Sequence, residues 1–181
     1  NDGGLYISYD KGVNWLHLNN IPTGEFYDIT LDNQKPYNIY GGVQDNATVY
    51  GPAKEWNPHK HDQWKYLWID SWSGGDGCVT QVDPEDPNTV YFSRQHGDGL
   101  RKDMEADTSI TIGPSRKKTS KENNLRYNFV SPYFISPHDS KTLYHGANHV
   151  IKSIDRGDTW ELLSGNIAES SKPEKNSWAA G

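Results

Sequence analysis

Two carboxylates stand where turns could bring them to a common opening: Asp45 in Gln44-Asp45-Asn46, and Asp76 in Gly74-Gly75-Asp76-Gly77. A carboxyl pair is the usual equipment for cleaving a glycosidic bond, one group as acid and the other as base or nucleophile. A separation of about 5–5.5 Å gives retention and about 6.5–9.5 Å inversion. Glu25 is the reserve carboxylate. Gln44, Asn46, His96, Arg126 and His149 add hydrogen-bonding side chains, and Trp72 adds a flat platform, a mixture that suits a sugar or a peptide. The same residue types also serve turns. Asp-Asn is a natural turn dipeptide, and the glycines around Asp76 supply backbone freedom.

Other chemistries are less well equipped. His59-Lys60-His61, with His96 and Asp98, offers metal-ligand atoms, but a zinc site needs three or four that converge, so no metal site is expected. No run alternates oxygen ligands in the manner of a calcium loop. Cys78 is the only cysteine; it opens an apolar strand with no histidine tied to it, as a buried structural thiol would. Gly74-Gly75-Asp76-Gly77 precedes a strand rather than a helix, so it lacks a phosphate-binding helix N-terminus. No cofactor is expected. The net charge of −6 argues against a nucleic-acid or anionic-membrane partner, and Arg116-Lys117-Lys118 with Lys121 lies in a polar stretch that reads as a solvated loop. No apolar run is long enough to span a membrane. Asn46-Ala47-Thr48 matches the N-glycosylation pattern, a coincidence if the chain is bacterial.

The elements that must position these residues repeat along the chain. Leu31-Asp-Asn-Gln-Lys-Pro-Tyr-Asn-Ile39-Tyr40, Val82-Asp-Pro-Glu-Asp-Pro-Asn-Thr-Val90-Tyr91 and Ile135-Ser-Pro-His-Asp-Ser-Lys-Thr-Leu143-Tyr144 align without gaps. Each is an apolar residue, a polar turn, and an apolar-Tyr pair opening the next strand. The tyrosines recur at intervals of 51 and 53 residues, near the period of kelch-type propeller blades. Aromatics at 12% with 17 Gly and 10 Pro likewise suit short strands and tight turns rather than a helical bundle.

The pattern predicts strands at Phe26–Leu31, Ile39–Gln44, Ala47–Gly51 and Trp64–Ile69. The next group is Cys78–Val82, Val90–Arg94, Leu100–Lys102 and about Ser109–Ile112. The last is Tyr133–Ile135, Thr142–His145, Val150–Ser153 and Thr159–Leu163. The expected fold is all-β, a partial β-propeller of about three and a half four-stranded blades. Residues 1–20 are the outer half of one blade; 21–71, 72–126 and 127–168 are blades; 169–181 begin the next or form a linker. Because propellers close with four to eight blades, the remainder is expected from a longer parent chain or an oligomeric partner. On this plan Glu25, Gln44–Asn46, Trp72–Asp76, His96, Arg126 and His149 gather on one face.

Ser8-x-Asp10-x-Gly12-x-x-Trp15 and Ser153-x-Asp155-x-Gly157-x-x-Trp160 each follow a short apolar run. The spacing predicts a hairpin turn in which the carboxylate accepts backbone N–H groups and Gly takes a left-handed φ. The Trp then begins the return strand. This motif resembles the Asp-box of bacterial-neuraminidase-type repeats. The middle two blades lack it, with residues 52–63, 103–107 and 113–124 in its place.

The resemblance widens with Glu25-Phe-Tyr-Asp28, Tyr40-Gly-Gly-Val-Gln44-Asp45-Asn46, Gly74-Gly-Asp76-Gly77 and Asn128-Phe-Val-Ser-Pro132. Together they resemble a large bacterial group of sortilin-type, glycosyl-hydrolase-like repeat proteins, over nearly all of residues 1–167. The resemblance implies an exported protein, periplasmic or extracellular. It also implies either action on or binding of glycans, with glycoside hydrolysis included, or a non-catalytic sortilin-like site for a peptide or protein. Neuraminidase chemistry itself would need an arginine trio and a tyrosine nucleophile, and Arg94 and Arg126 with Tyr127 fall one arginine short.

Overall fold

A computed structural model of the chain describes residues 5–18, 24–54, 63–68, 75–114 and 125–168. These residues form fourteen strands and a single short 3-10 turn, Gln95–Gly97. β1 (Tyr6–Ile7) and β2 (Leu16–His17) make a two-stranded hairpin. Sheet I consists of β3 (Phe26–Leu31), β4 (Asn38–Val43), β5 (Thr48–Pro52) and β6 (Lys65–Trp68). Sheet II consists of β7 (Gly77–Val82), β8 (Thr89–Arg94), β9 (Gly99–Asp103) and β10 (Thr108–Thr111). Sheet III consists of β11 (Tyr133–Ser136), β12 (Asp139–Gly146), β13 (Val150–Ser153) and β14 (Glu161–Leu162). Each four-stranded sheet is an antiparallel meander whose neighbours follow chain order, a blade-like unit.

The repeated tyrosines take equivalent places. Tyr40 pairs with Thr30 and Tyr50, Tyr91 with Gln81 and Arg101, and Tyr144 with Phe134 and Lys152, always in the second strand. The expected strands lie within a few residues of those observed, and two departures are informative. β12 begins at Asp139 rather than Thr142, because Asp139 pairs directly with Ser136 across a tight turn. Ala47 was expected to open the third strand of sheet I, yet β5 begins at Thr48; Ala47 has φ 75° and instead bridges Asp76 of the next unit.

Side-chain alternation explains how the sheets stack. Successive residues of a strand face opposite sides, and in β8 both sides are covered. Val90 and Phe92 pack with Tyr40, Leu67 and Leu100, while Tyr91 turns the other way to meet Ile112, Tyr133 and Leu143. Val90, Tyr91 and Phe92 are all fully buried. Each such side chain contributes about 2 kcal/mol of burial.

Polar turns tie the sheets along one side. Asp32 accepts the N–H groups of Gln34 and Asn38, and Asp83 accepts that of Glu85. Asn33 Nδ2 then donates to Pro84 O of sheet II, and Ser140 Oγ of sheet III donates to Glu85 Oε2.

Both Asp-box sequences fold into the same turn. Ser8 Oγ donates to Asp10 Oδ1 (2.9 Å) and accepts Gly12 N–H (2.7 Å); Asp10 accepts Asn14 N–H (2.9 Å); Trp15 Nε1 donates to Gly12 O (3.1 Å). The second copy repeats these bonds at 2.7, 2.8, 2.8 and 3.0 Å, with Thr159 in the place of Asn14. The left-handed backbone extends over two residues rather than the glycine alone: Lys11 and Gly12 at φ 60° and 90°, Arg156 and Gly157 at 61° and 90°. Both carboxyls fall to about 2. The Asn14 backbone N–H is the main cause at Asp10, and the Thr159 hydroxyl at Asp155.

The two hairpins differ in what they touch. Trp160 Nε1 also donates to Ile112 O, and its ring packs against sheet II and Tyr133. Trp15 is 63% exposed. Trp160→Ala is therefore expected to lower the unfolding free energy by about 3 kcal/mol, and Trp15→Ala by less than about 1 kcal/mol. Urea denaturation followed by far-UV circular dichroism checks the contrast, and equal losses would overturn the docking role of Trp160.

Candidate functional site

The β4–β5 turn of sheet I rests directly on the start of β7. Ala47 N–H donates to Gly75 O at 2.8 Å, and Ala47 bridges Asp76 in parallel register. Two glycines permit the approach. A Cβ at Gly77 would lie 2.2 Å from Ala47 O, and one at Gly42 would lie 2.1 Å from Cys78 O. The contacting atoms are backbone and cannot swing aside, so any larger residue separates the sheets.

This contact carries Asp76 to the rim of sheet I. The residue is 6% exposed. Its Oδ1 accepts Asp45 N–H (3.1 Å) and its Oδ2 accepts the Tyr27 hydroxyl (3.2 Å). The Tyr27 hydroxyl also lies 3.2 Å from Gln44 Oε1, and its one proton serves either oxygen in turn. Burial, then the charge of Asp76, pushes the Tyr27 phenol up to about 12, which keeps it a neutral donor. Gln44 N–H donates to Glu25 O at 2.9 Å. Gln44, Asp45, Asp76 and the Glu25 backbone thus meet around Tyr27.

A second group continues the rim across sheet II. His96 N–H donates to Phe129 O at 2.9 Å, and the His96 ring stands edge-on to Phe129 with centroids 5.6 Å apart. Phe129 in turn lies 6.0 Å from Tyr27, giving an aromatic row Tyr27–Phe129–His96. Farther along, Arg126 N–H donates to Asn148 Oδ1 at 2.7 Å, while His149 Nδ1 meets Ser164 O at 3.1 Å. Asn46, half-buried, lies within the β4–β5 turn.

The sequence-predicted residues therefore divide. Glu25, Gln44, Asp45 and Asp76 come together, and His96 joins them through Phe129. Arg126 and His149 gather around Asn148 and Ser164. Trp72, His59, His61 and the 116–121 basic cluster lie outside the described residues. Asp45 reaches Asp76 through its backbone N–H, and both oxygens of Asp76 hold protein donors. Sequence reasoning missed Tyr27 and Phe129 as site residues. The signal lay in Glu25-Phe-Tyr-Asp28 and Asn128-Phe-Val, where an aromatic directly borders a polar junction.

The Cys78 thiol is fully buried and pushed up to about 12, by burial first and then by Asp76, so it is no nucleophile at neutral pH. Among the described residues no three His, Cys, Asp or Glu side chains gather as metal ligands, and no helix is long and apolar enough to cross a membrane. On the opposite side, a cleft of about 740 Å³ is lined by Arg101, Lys102, Lys141, Arg156 and Asp158. Three of its cations are already paired: Arg101 with Asp158, Lys102 with Asp107, and Arg156 with buried Asp83. It offers an anion little unspent charge.

No protein-family model and no curated protein sequence matches the chain.

Removing the Asp76 carboxylate leaves the Asp45 N–H and the Tyr27 hydroxyl without their acceptor in a nearly buried site. Asp76→Ala is expected to cost about 2 kcal/mol. Asp76→Asn, which keeps one oxygen for Asp45 N–H, is expected to cost less. Thermal unfolding of the two variants tests the order, and the reverse order would overturn the organising role of the carboxylate.

Proposed function

We propose that the chain is part of an Asp-box β-propeller whose Tyr27–Phe129–His96 rim binds a glycan. The single observation behind this reading is the aromatic row beside Gln44 and Asp76. A sugar presents apolar C–H faces to rings and hydroxyls to amides and carboxylates, and a concave mouth with few convergent polar groups suits it. Three meanders of one plan, joined turn to turn, support the propeller, and the two Asp-boxes support the resemblance to sortilin-type, glycosyl-hydrolase-like proteins. Three and a half blades leave a ring open, so further strands, from the same polypeptide or from a partner chain, would close it. An exported location follows from that resemblance.

Binding is favoured over hydrolysis because Asp76 is occupied in holding Tyr27 and Asp45. Should the pair be catalytic, Asp76→Asn would abolish turnover of a glycan that the wild type cleaves; unchanged turnover removes that assignment.

Isothermal titration with a panel of soluble β-linked glucan and xyloglucan oligosaccharides tests the rim. Phe129→Ala is expected to weaken binding by about tenfold, since losing one stacking ring removes roughly 1–1.5 kcal/mol. Tyr27→Phe is expected to weaken it severalfold. A blank panel, together with retention of a polypeptide ligand in pulldown, would transfer the rim to the sortilin-like peptide-binding class.

A further inference from the structure

His145 lies at the seam between sheets II and III and is 1% exposed. Its ring centroid is 4.9 Å from Tyr127, 5.3 Å from Tyr133 at a near-perpendicular 85°, and 6.1 Å from Trp160. Among the described residues, neither Nδ1 nor Nε2 has a hydrogen-bond partner. A neutral imidazole already pays desolvation here, and a second proton would add a buried charge with nothing to receive it.

Among the described residues, the groups facing the imidazole are all neutral. The junction before β11 contributes Tyr127, whose hydroxyl donates to Pro114 O. β11 contributes Tyr133, directly paired with His145, and β13 contributes Ile151 on the other side. The second Asp-box contributes Trp160, tied to Ile112 O. Beyond Tyr133 stands Tyr91 of sheet II. Burial raises the phenols of Tyr91, Tyr127 and Tyr133. The charges around these rings are mutually paired: Arg101 with Asp158 and Arg156 with Asp83 around Tyr91, and Asp98, which acts on Tyr127, with Arg94. Burial alone lowers the imidazole from its ordinary 6.5 to about 4.

Tyr127 links this pocket to the rim. Its ring fills the space over Gly97, where a Cβ would come within 2.4 Å, and so supports the turn carrying His96. Phe129, two residues onward, holds the His96 N–H.

We propose that protonation of His145 is an acid switch that loosens the seam between sheets II and III, and with it the His96 and Arg126–Phe129 portions of the rim. Release of a glycan on acidification rests on the binding function proposed above; the loosening does not. The sign follows from linkage. An opened seam takes up the proton near pH 6.5 and the closed one only near 4, so closure weakens as pH falls through that interval and is fully present above it.

Hydrogen exchange on the full chain at pH 7 and 4.5, corrected for intrinsic rates, reads the switch at the His96 and Asn148 amides. Their opening is expected to rise on the order of a hundredfold, while the Ala47 amide, at the seam between sheets I and II, stays protected. In His145→Phe the rise is expected to vanish and protection at pH 7 to persist. The same rise in the variant, or an equal rise at Ala47, overturns the proposal. If the variant does not fold, the wild-type imidazole decides by nuclear magnetic resonance: a titration midpoint near 4 supports the switch, and one near 6.5 in the closed protein overturns it.

Discussion

Strand β8 is covered on both faces, and the rest of the structure depends on that. Val90 and Phe92 are fully buried toward sheet I, and Tyr91 is fully buried toward sheet III. A strand buried on one side could alternate apolar and polar residues; one buried on both must be apolar throughout or find partners for its polar groups. Ser93 does the latter, exchanging hydrogen bonds with the backbone of Val79. Sheet II is thus the wedge that holds sheets I and III, and its first strand β7 carries the glycine contacts that bring Asp76 to the β4–β5 turn.

The Asp-box turns stabilise locally, and their effect on the assembly depends on what the tryptophan finds. Both carboxylates satisfy the same donors with the same geometry, so the two turns are equally well formed. Among the described residues, only Trp160 reaches a neighbouring sheet. Arg156, in the left-handed position beside Gly157, extends the same hairpin toward buried Asp83 and passes its carbonyl to Arg101. Asp83 and Arg156 approach at 3.3 Å without hydrogen-bond alignment, so the pair acts through charge alone. One turn motif therefore serves both as a self-contained corner and as a clamp between sheets.

The rim is built from backbone contacts as much as from side chains. Asp76 receives the Asp45 N–H and the Tyr27 hydroxyl, and Phe129 receives the His96 N–H through its carbonyl. Each is a place where the turn of one sheet meets the junction leading to the next. A ligand at this rim would contact three units at once and would respond to changes at the seams between them. His145 lies in one of those seams, linked to the rim through the Tyr127 ring and the Gly97 backbone it packs on.

The meanders, the equivalent tyrosines and the Asp-box corners were legible in the sequence because each arises from local rules: strand alternation, turn chemistry and the reach of a short carboxylate to nearby N–H groups. Phe26–Leu31 and Val150–Ser153 needed nothing beyond that. Residues that meet across units depended on tertiary structure. Nothing in its local pattern distinguishes Tyr27 from the neighbouring Phe26, yet β3 turns it toward Asp76, 49 residues away. His145 reads as an ordinary strand residue until Tyr127 and Trp160 close over it. Trp15 and Trp160 occupy the same motif, and the presence of Ile112 beside one of them separates an exposed ring from a half-buried anchor. Local hydrogen bonds are settled within a few residues of chain, whereas burial depends on which distant surface arrives, and that is decided only when the sheets stack.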